Sequence, residues 1–235
     1  MLALPDVTLC CVYTVCHELH LMAVDECLKQ ARFGDVKLFT DQARGRDVIS
    51  INTQDINEFA AFMRRQLPQY IKTSHVLYIQ WDSWIINPNA WRAEFLEYDY
   101  IGAPWWYGDN YNVGNSGFCL RSKALIDFLS AHEREFPLVE PEDHFLCREY
   151  RKRLPQFKWA SNELAGHFAF ERAVFHPLNE IFGYHGIFNW PYLLSFDKIH
   201  ERMAKAPNYI FQSVGCRQML ELMLKKQQEL EAQHG

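Results

Sequence analysis

VTLCCVYTV, residues 7–15, limits what this chain can fold into more than any other stretch. It is a near-continuous apolar, β-branched run, the pattern of a strand buried on both faces rather than one with a wet side. Such a strand needs helices above and below it, and the sequence supplies one next. Leu21, Val24, Leu28 and Ala31 recur at helical spacing, and Gly34 stands where a C-terminal cap is expected. VKLFTD (36–41) and VISI (48–51) read as second and third strands. Asp55 with Glu58 resembles a capping box with Asp in place of Ser or Thr, introducing Ile56, Phe59, Ala60 and Met63 on one helical face. VLYI (76–79) is a fourth strand. Strands alternating with helices predict an α/β fold, a three-layer α/β/α sandwich around a mostly parallel central sheet.

Beyond residue 85 the pattern changes. NPNAWRAEFLEY reads as a short helix, and residues 98–118 crowd aromatics, Gly and Asn together. GFCLRS (117–122) reads as a strand with KALIDFLSAH as the helix behind it. EDHFLCREYRKRL (142–154) is expected as a helix with Pro141 at its first turn, and FAFERAVF (168–175) as a half-buried strand. CRQMLELMLKKQQELEAQ places Met219, Leu220, Met223 and Leu230 among the apolar positions of an amphipathic helix, packed or frayed, with a membrane or partner helix as the alternative. The chain of 235 residues is 49% hydrophobic, which suits one main domain, residues 1–200, with a C-terminal helical extension over 201–235.

Charge and cysteine usage narrow the function classes. The net charge is −5 and the longest basic run is Arg151-Lys152-Arg153, so no basic stripe marks nucleic acid as a partner. The seven cysteines are odd in number and include no CxxC, which fits free buried thiols in a reducing compartment. The N-terminal MLALPDVTLCCVYTV carries no basic n-region or small-residue cleavage site, and its apolar run is too short for a transmembrane segment. The expectation is a cytoplasmic protein, with peripheral attachment to a membrane through the C-terminal segment left open.

The motifs that carry chemistry come in four pieces. Gln80-Trp81-Asp82 closes the fourth strand, and the two-residue side-chain period puts Gln80 and Asp82 on one side at its C-terminal end, where open α/β sheets bind ligands. Gly114-Asn115-Ser116-Gly117-Phe118 is a turn whose glycines allow positive φ and close backbone approach. Glu142 and Asp143 are paired acids at a helix start, and His185 is flanked by Gly183-Tyr184 and Gly186. Nucleotide-binding loops GxxxxGK[ST] and GxGxxG, the GxSxG elbow and HExxH are all absent, and the adjacent Cys16-His17 makes no nucleophile–base pair on adjacency alone.

In that order the four pieces resemble the GT-A class of nucleotide-sugar-dependent glycosyltransferases. FLEYDYIGAPW, VGNSGFCLRS and PEDHF resemble, more narrowly, a little-characterised glycosyltransferase-like domain of unknown function, over about residues 7–190. The resemblance implies a GT-A-like fold and transfer of a sugar from a nucleotide-sugar donor, UDP-sugar by family frequency, to a carbohydrate or glycoconjugate acceptor hydroxyl. It implies a divalent metal, Mn2+ or Mg2+, held by Asp82 and His185, that neutralises the leaving diphosphate. Asp143 would act as general base in an inverting reaction, with Glu142 orienting the acceptor. Thr14 falls where the class seats the nucleoside, Asn115 beside Gly114 and Gly117 faces the donor, and Trp105 and Trp106 would stack on a sugar. Gln80 departs from the class, standing where its motif has a first acid; it can hydrogen-bond a hydroxyl but removes one negative charge from the metal site. That departure favours two alternatives: a metal-independent enzyme, or a non-catalytic sugar- or nucleotide-binding relative. A metal-dependent phosphotransfer or hydrolytic enzyme is a third reading, resting on Asp82 and His185 alone.

Overall fold

Residues 7–11 are almost wholly excluded from solvent, and they sit in the middle of a six-stranded sheet. The computed structural model of the chain describes all residues except 43–47, 52–57, 59, 60, 140, 173 and 235, and for 230–234 the backbone alone. Strands β1 (Leu2–Tyr13), β2 (Ala31–Thr40), β3 (Val48–Ser50), β4 (His75–Ile79), β6 (Tyr100–Gly102) and β7 (Phe118–Ser122) are ordered β3-β2-β1-β4-β7-β6. The pairs β1/β2, β1/β4 and β2/β3 are parallel, and β7 runs antiparallel to both its neighbours. A second sheet, β5-β9-β8, joins β5 (Ser83–Ile85), β9 (Gly183–His185) and β8 (Ala169–Phe170).

Helices cover both faces of the large sheet. Helix α1 (His17–Gln30) brings Cys27 beside Cys11. On the opposite face the short α2 (Leu67–Tyr70) packs beside α3 (Lys123–Ala131). Helix α3 brings Ile126 and Leu129 to a cavity wall shared with Val12, Tyr78 and Arg121. Adjacent residues of a strand point to opposite faces, so Cys11 and Val12 belong to different layers. The three-layer sandwich with a mostly parallel sheet, expected from the alternation of runs, is therefore the observed architecture. The seven cysteines are free and buried, also as expected.

Several local expectations are corrected. Gly34 does not cap α1: the helix ends at Gln30 and Gly34 lies inside β2. It is glycine because a Cβ there would sit 1.9 Å from the Pro5 carbonyl oxygen, where the β1/β2 register shifts. The strand expected over 168–175 shrinks to Ala169–Phe170, because Phe168 closes helix α5 (Asn162–Phe168). Of the capping box, Asp55 lies outside the described residues. The helix expected from Glu142 forms as α4 (Glu142–His144) running on into a π-helical stretch, Phe145–Tyr150.

The C-terminal helix, α8 (Val214–His234), packs against α6 (Trp190–Leu193). Its Cys216 and Met219 are fully buried, whereas Leu220 is exposed. The boundary at residue 200 falls inside helix α7 (Phe196–Met203), and Met203, Ile210, Cys216 and Met219 join the same core cluster as the strands. Among the described residues no helix is long and apolar enough to cross a membrane.

Candidate functional site

Two ladders bring three of the four sequence motifs together, and the fourth, Glu142-Asp143, joins them through Arg121 and Ser116. Strand β4 pairs with β7 so that Ile79 faces Phe118, which sets Gln80 beside Gly117; the Gln80 N–H donates to the Gly117 carbonyl at 3.0 Å. Strand β5 pairs with β9 so that Ser83 faces His185. Ser83 Oγ ties the junction, donating to the Gly117 carbonyl at 2.7 Å and accepting from Gln80 N at 2.8 Å. Gln80 and Asp82 do not extend the strand, as the two-residue period suggested. The strand ends at Ile79, and the chain turns back with Ser83 N–H donating to the Gln80 carbonyl at 3.2 Å. The turn still delivers both side chains to one place.

That place is the imidazole of His185. Its Nε2 lies 3.2 Å from Gln80 Oε1 and 3.5 Å from Asp82 Oδ1. Its Nδ1 lies 3.3 Å from Glu171 Oε1 and 2.9 Å from Asn115 Nδ2. Gly117 makes room for the ring, since a Cβ there would be 2.2 Å from His185 Nε2. Asn115 has φ 68°, a left-handed conformation that Asn tolerates. Its Oδ1 accepts from the N–H groups of Gly117 and Phe118 at 2.8 and 3.2 Å, which turns its amide nitrogen toward His185.

Asp82 is buried, and its second oxygen accepts from Ile187 N at 3.1 Å. Burial pushes the Asp82 carboxyl above its usual range, although His185 opposes the rise. Oδ1 has no hydrogen-bond partner. For His185, burial works against the charged ring, but Asp82, the hydrogen bond to Glu171 and the Asp143 charge win, raising it to about 8.

The neighbouring acids behave oppositely. Glu142 is penalised by burial, yet the Arg121 guanidinium holds its carboxyl below the ordinary value. Arg121, itself buried in β7, donates to Oε1 at 2.8 Å and to Oε2 at 2.9 Å, and Ser116 Oγ adds a bond of 2.6 Å. Asp143 accepts from main-chain donors, among them its neighbour's N–H at 2.8 Å; burial and the Glu142 charge push its carboxyl up.

Gln80, Asn115, Gly117, Glu142, Asp143 and His185 all line one cavity of about 290 Å³. The cavity also takes in Ser116, from the glycine turn, and Arg64, Arg121 and Glu171, to which the motif reading assigns no role. Arg64 is buried with no hydrogen-bond partner on Nε. The signals were modest: an arginine inside the apolar run FCLRS, and a glutamate closing FAFE.

Other expected residues fall outside the cavity wall. Trp105 is buried and packs over Gly114, where a Cβ would meet its indole at 2.0 Å, so it offers no stacking face. Trp106 is 62% exposed and stacks on Tyr107. Thr14 lies in the bend after β1 and does not reach the wall.

Fold and site together define a mixed α/β protein with a charged, ligand-sized cavity where its two sheets meet. The chain belongs to the DUF5672 family, described as proteins of unknown function, whose profile matches residues 48–185. No curated protein matches it. Among solved structures it is similar to a glycosyltransferase involved in the glycosylation of the major capsid of PBCV-1, at 13% identity and a TM-score of 0.49, covering 77% of this chain and 92% of that one. It is also similar to the apo-form glycosyltransferase GlyE of Streptococcus pneumoniae TIGR4, at 12% identity and a TM-score of 0.49, covering 94% of this chain and 64% of that one. An active-site mutant of LgtC aligns at 13% identity and a TM-score of 0.46, covering 89% of this chain and 98% of that one.

Proposed function

We propose that this chain is a glycosyltransferase that moves a sugar from a nucleotide-sugar donor to an acceptor hydroxyl. The observation that carries the reading is the convergence on His185 Nε2 of Gln80 Oε1 at 3.2 Å and of Asp82 Oδ1, which has no hydrogen bond, at 3.5 Å; Gln80 and His185 line the cavity with Asp143, and Asp82 lies behind its wall. Amide oxygen, imidazole and carboxylate at these two spacings are donors of the kind a divalent ion such as Mn2+ or Mg2+ takes, and Gln80, His185 and Asp82 would hold it. A neutral amide oxygen is a normal ligand for such ions, which gives Gln80 a role despite its missing charge. Glu171 would accept the Nδ1–H of His185 and leave Nε2 to the ion, as a carboxylate commonly does behind a metal-bound histidine. When bound, the ion would neutralise charge growing on the departing diphosphate.

The chain's own groups supply the rest. Asp143, lifted by burial and by Glu142, is a stronger base than an ordinary aspartate and takes the acceptor's proton. Glu142, with both oxygens on Arg121 and Ser116, acts through its charge and as a brace. Arg64 turns positive charge toward the donor phosphates. The cavity volume lies near the lower edge of ligand pockets, about 300–1,000 Å³, and so suits the sugar-diphosphate end of the donor.

The test is donor cleavage to water. Purified protein with Mn2+ and a panel of UDP- and GDP-sugars should release the nucleoside diphosphate, and Asp82→Ala and Asp143→Ala, still folded, should reduce release by about 100-fold or more. Nucleotide binding without turnover on any donor or acceptor would instead establish the non-catalytic binding relative, which the neutral Gln80 favours.

A further inference from the structure

The wall of the cavity contains a buried positive charge without a partner. Arg64, on the π-helical stretch Phe62–Gln66, is 6% exposed and lines the cavity. Its Nε has no hydrogen-bond partner, and among the described residues no carboxylate stands within ion-pair distance of its guanidinium. Burial works against the charge, yet a guanidinium stays protonated at any working pH. An uncompensated buried charge is strongly destabilising until a counter-charge arrives.

The two carboxylates that face Arg64 are already taken. Glu142 acts on it most strongly, but Arg121 holds both oxygens of that carboxylate, at 2.8 and 2.9 Å. Glu133 is held by Arg65 at 2.7 Å. Arg121 also faces Arg64 and repels it. One positive charge is therefore left at this end of the cavity, and one negative group would neutralise it. The charges that face His185 are a different set, Asp82, Glu171 and Asp143, so the adjacent acids Glu142 and Asp143 stand between the two ends. Helix α3 packs on the 62–66 stretch, and its Ile126 and Leu129 join Met63 in the wall. A flat, weakly hydrated guanidinium among apolar side chains matches a carboxylate through two parallel N–H···O bonds.

We propose that the Arg64 end of the cavity is a carboxylate subsite, so that the sugar moved is a uronic acid rather than a neutral hexose. The inference rests on the transferase reading and sharpens it. With the diphosphate at the His185 end, the sugar extends past Asp143 toward Arg64, and a carboxylate in place of the hydroxymethyl group meets the guanidinium. The field of Arg64 still reaches the phosphates, but at that range it gives the guanidinium no acceptor in contact. The carboxylate takes no part in bond making or breaking; Arg64 selects the donor and orients its sugar.

The experiment is equilibrium binding of paired donors to the full chain with Mn2+, which needs no turnover. The pairs are UDP-glucuronate with UDP-glucose, UDP-galacturonate with UDP-galactose, and GDP-mannuronate with GDP-mannose. Wild type should bind the uronate of at least one pair about 10-fold or more tighter than its neutral twin, as a charge-assisted pair of hydrogen bonds provides. Arg64→Met should erase that ratio, and Arg64→Lys, which keeps the charge and loses the fork, should restore part of it. Without ligand, Arg64→Met should melt no lower than wild type, because the charge it removes has no partner. Equal affinity within every pair would overturn the subsite and leave the transferase reading standing. So would the same loss for uronate and neutral donors in Arg64→Met, which would assign Arg64 to the diphosphate alone. A lower melting temperature of unliganded Arg64→Met would make Arg64 a structural residue instead. Failure of every donor to bind would end both the subsite and the transferase reading.

Discussion

The N-terminal sheet layer and the junction where the two sheets meet bury polar groups in opposite ways. In residues 2–40 the buried titratable groups are neutral. Burial pushes the thiols of Cys10, Cys11 and Cys27 upward and His20 down to about 4. At the junction the buried groups are charged and paired: Glu142 with Arg121, and His185 between Asp82 and Glu171. The first region avoids charge because its central strand is covered on both faces. The second accepts the cost of buried charge, which is repaid only by close partners or by a ligand.

Breaking the strongest pair should show the difference most clearly. Arg121→Met strands the Glu142 carboxylate and should cost about 3–5 kcal/mol in urea unfolding, with Glu142→Gln in the same chain recovering much of it. A fully stable single variant would mean the pair does not hold the junction.

The N-terminal layer should respond to pH instead. His20 stacks on Tyr13 and donates from Nδ1 to the Cys16 carbonyl at 3.2 Å. Burial lowers it, and the nearby His17 adds to the fall. The unfolded ring titrates near 6.5, so below that pH the unfolded state binds the proton first and stability falls. The contribution is complete above pH 6.5 and is lost progressively toward pH 4, amounting to about 3 kcal/mol. His20→Phe keeps the stacking and should flatten that slope relative to wild type across pH 4–7. An unchanged slope would place the acid sensitivity elsewhere.

Two glycine substitutions sharpen the contrast. Gly34→Ala sets a Cβ against the Pro5 main chain and should lower stability by about 1–3 kcal/mol. Gly117→Ala sets a Cβ against the His185 side chain rather than main chain; stability should change less, and donor cleavage should collapse as the ring is displaced. Equal effects of the two on folding and on cleavage would remove the distinction. The smallest effect belongs to Asp82→Asn. Its carboxyl is raised by burial and one oxygen has no hydrogen bond, meeting only the His185 ring at 3.5 Å, so removing the charge should leave thermal stability unchanged or higher by up to about 1 kcal/mol while abolishing cleavage. A large loss of stability would make Asp82 a structural residue.

Sequence legibility followed the same division. The runs at 7–15 and 76–79 are legible because a strand covered on both faces must be apolar at every position. Gly34 misled, since a glycine after a helical pattern looks the same whether it caps the helix or lets two strands approach. Gln80 and Asp82 were placed on one side by a strand period that the real turn does not follow, and they converged for a different reason. Glu171 was hidden in a run that alternates like a strand, and Trp105 looked available because aromatic crowding does not show which ring lies beneath a glycine.

What the sequence by itself determined is the layered α/β plan and the short motifs that bear polar chemistry, because periodicity and residue type are local properties. What only the tertiary structure decided is which of two adjacent acids is neutralised by an arginine, which carboxylate holds His185, and that Arg64 is buried with no hydrogen bond on Nε. Those outcomes depend on strand pairing between segments far apart in the chain, where tenths of an ångström set the electrostatics and no local pattern records the partner.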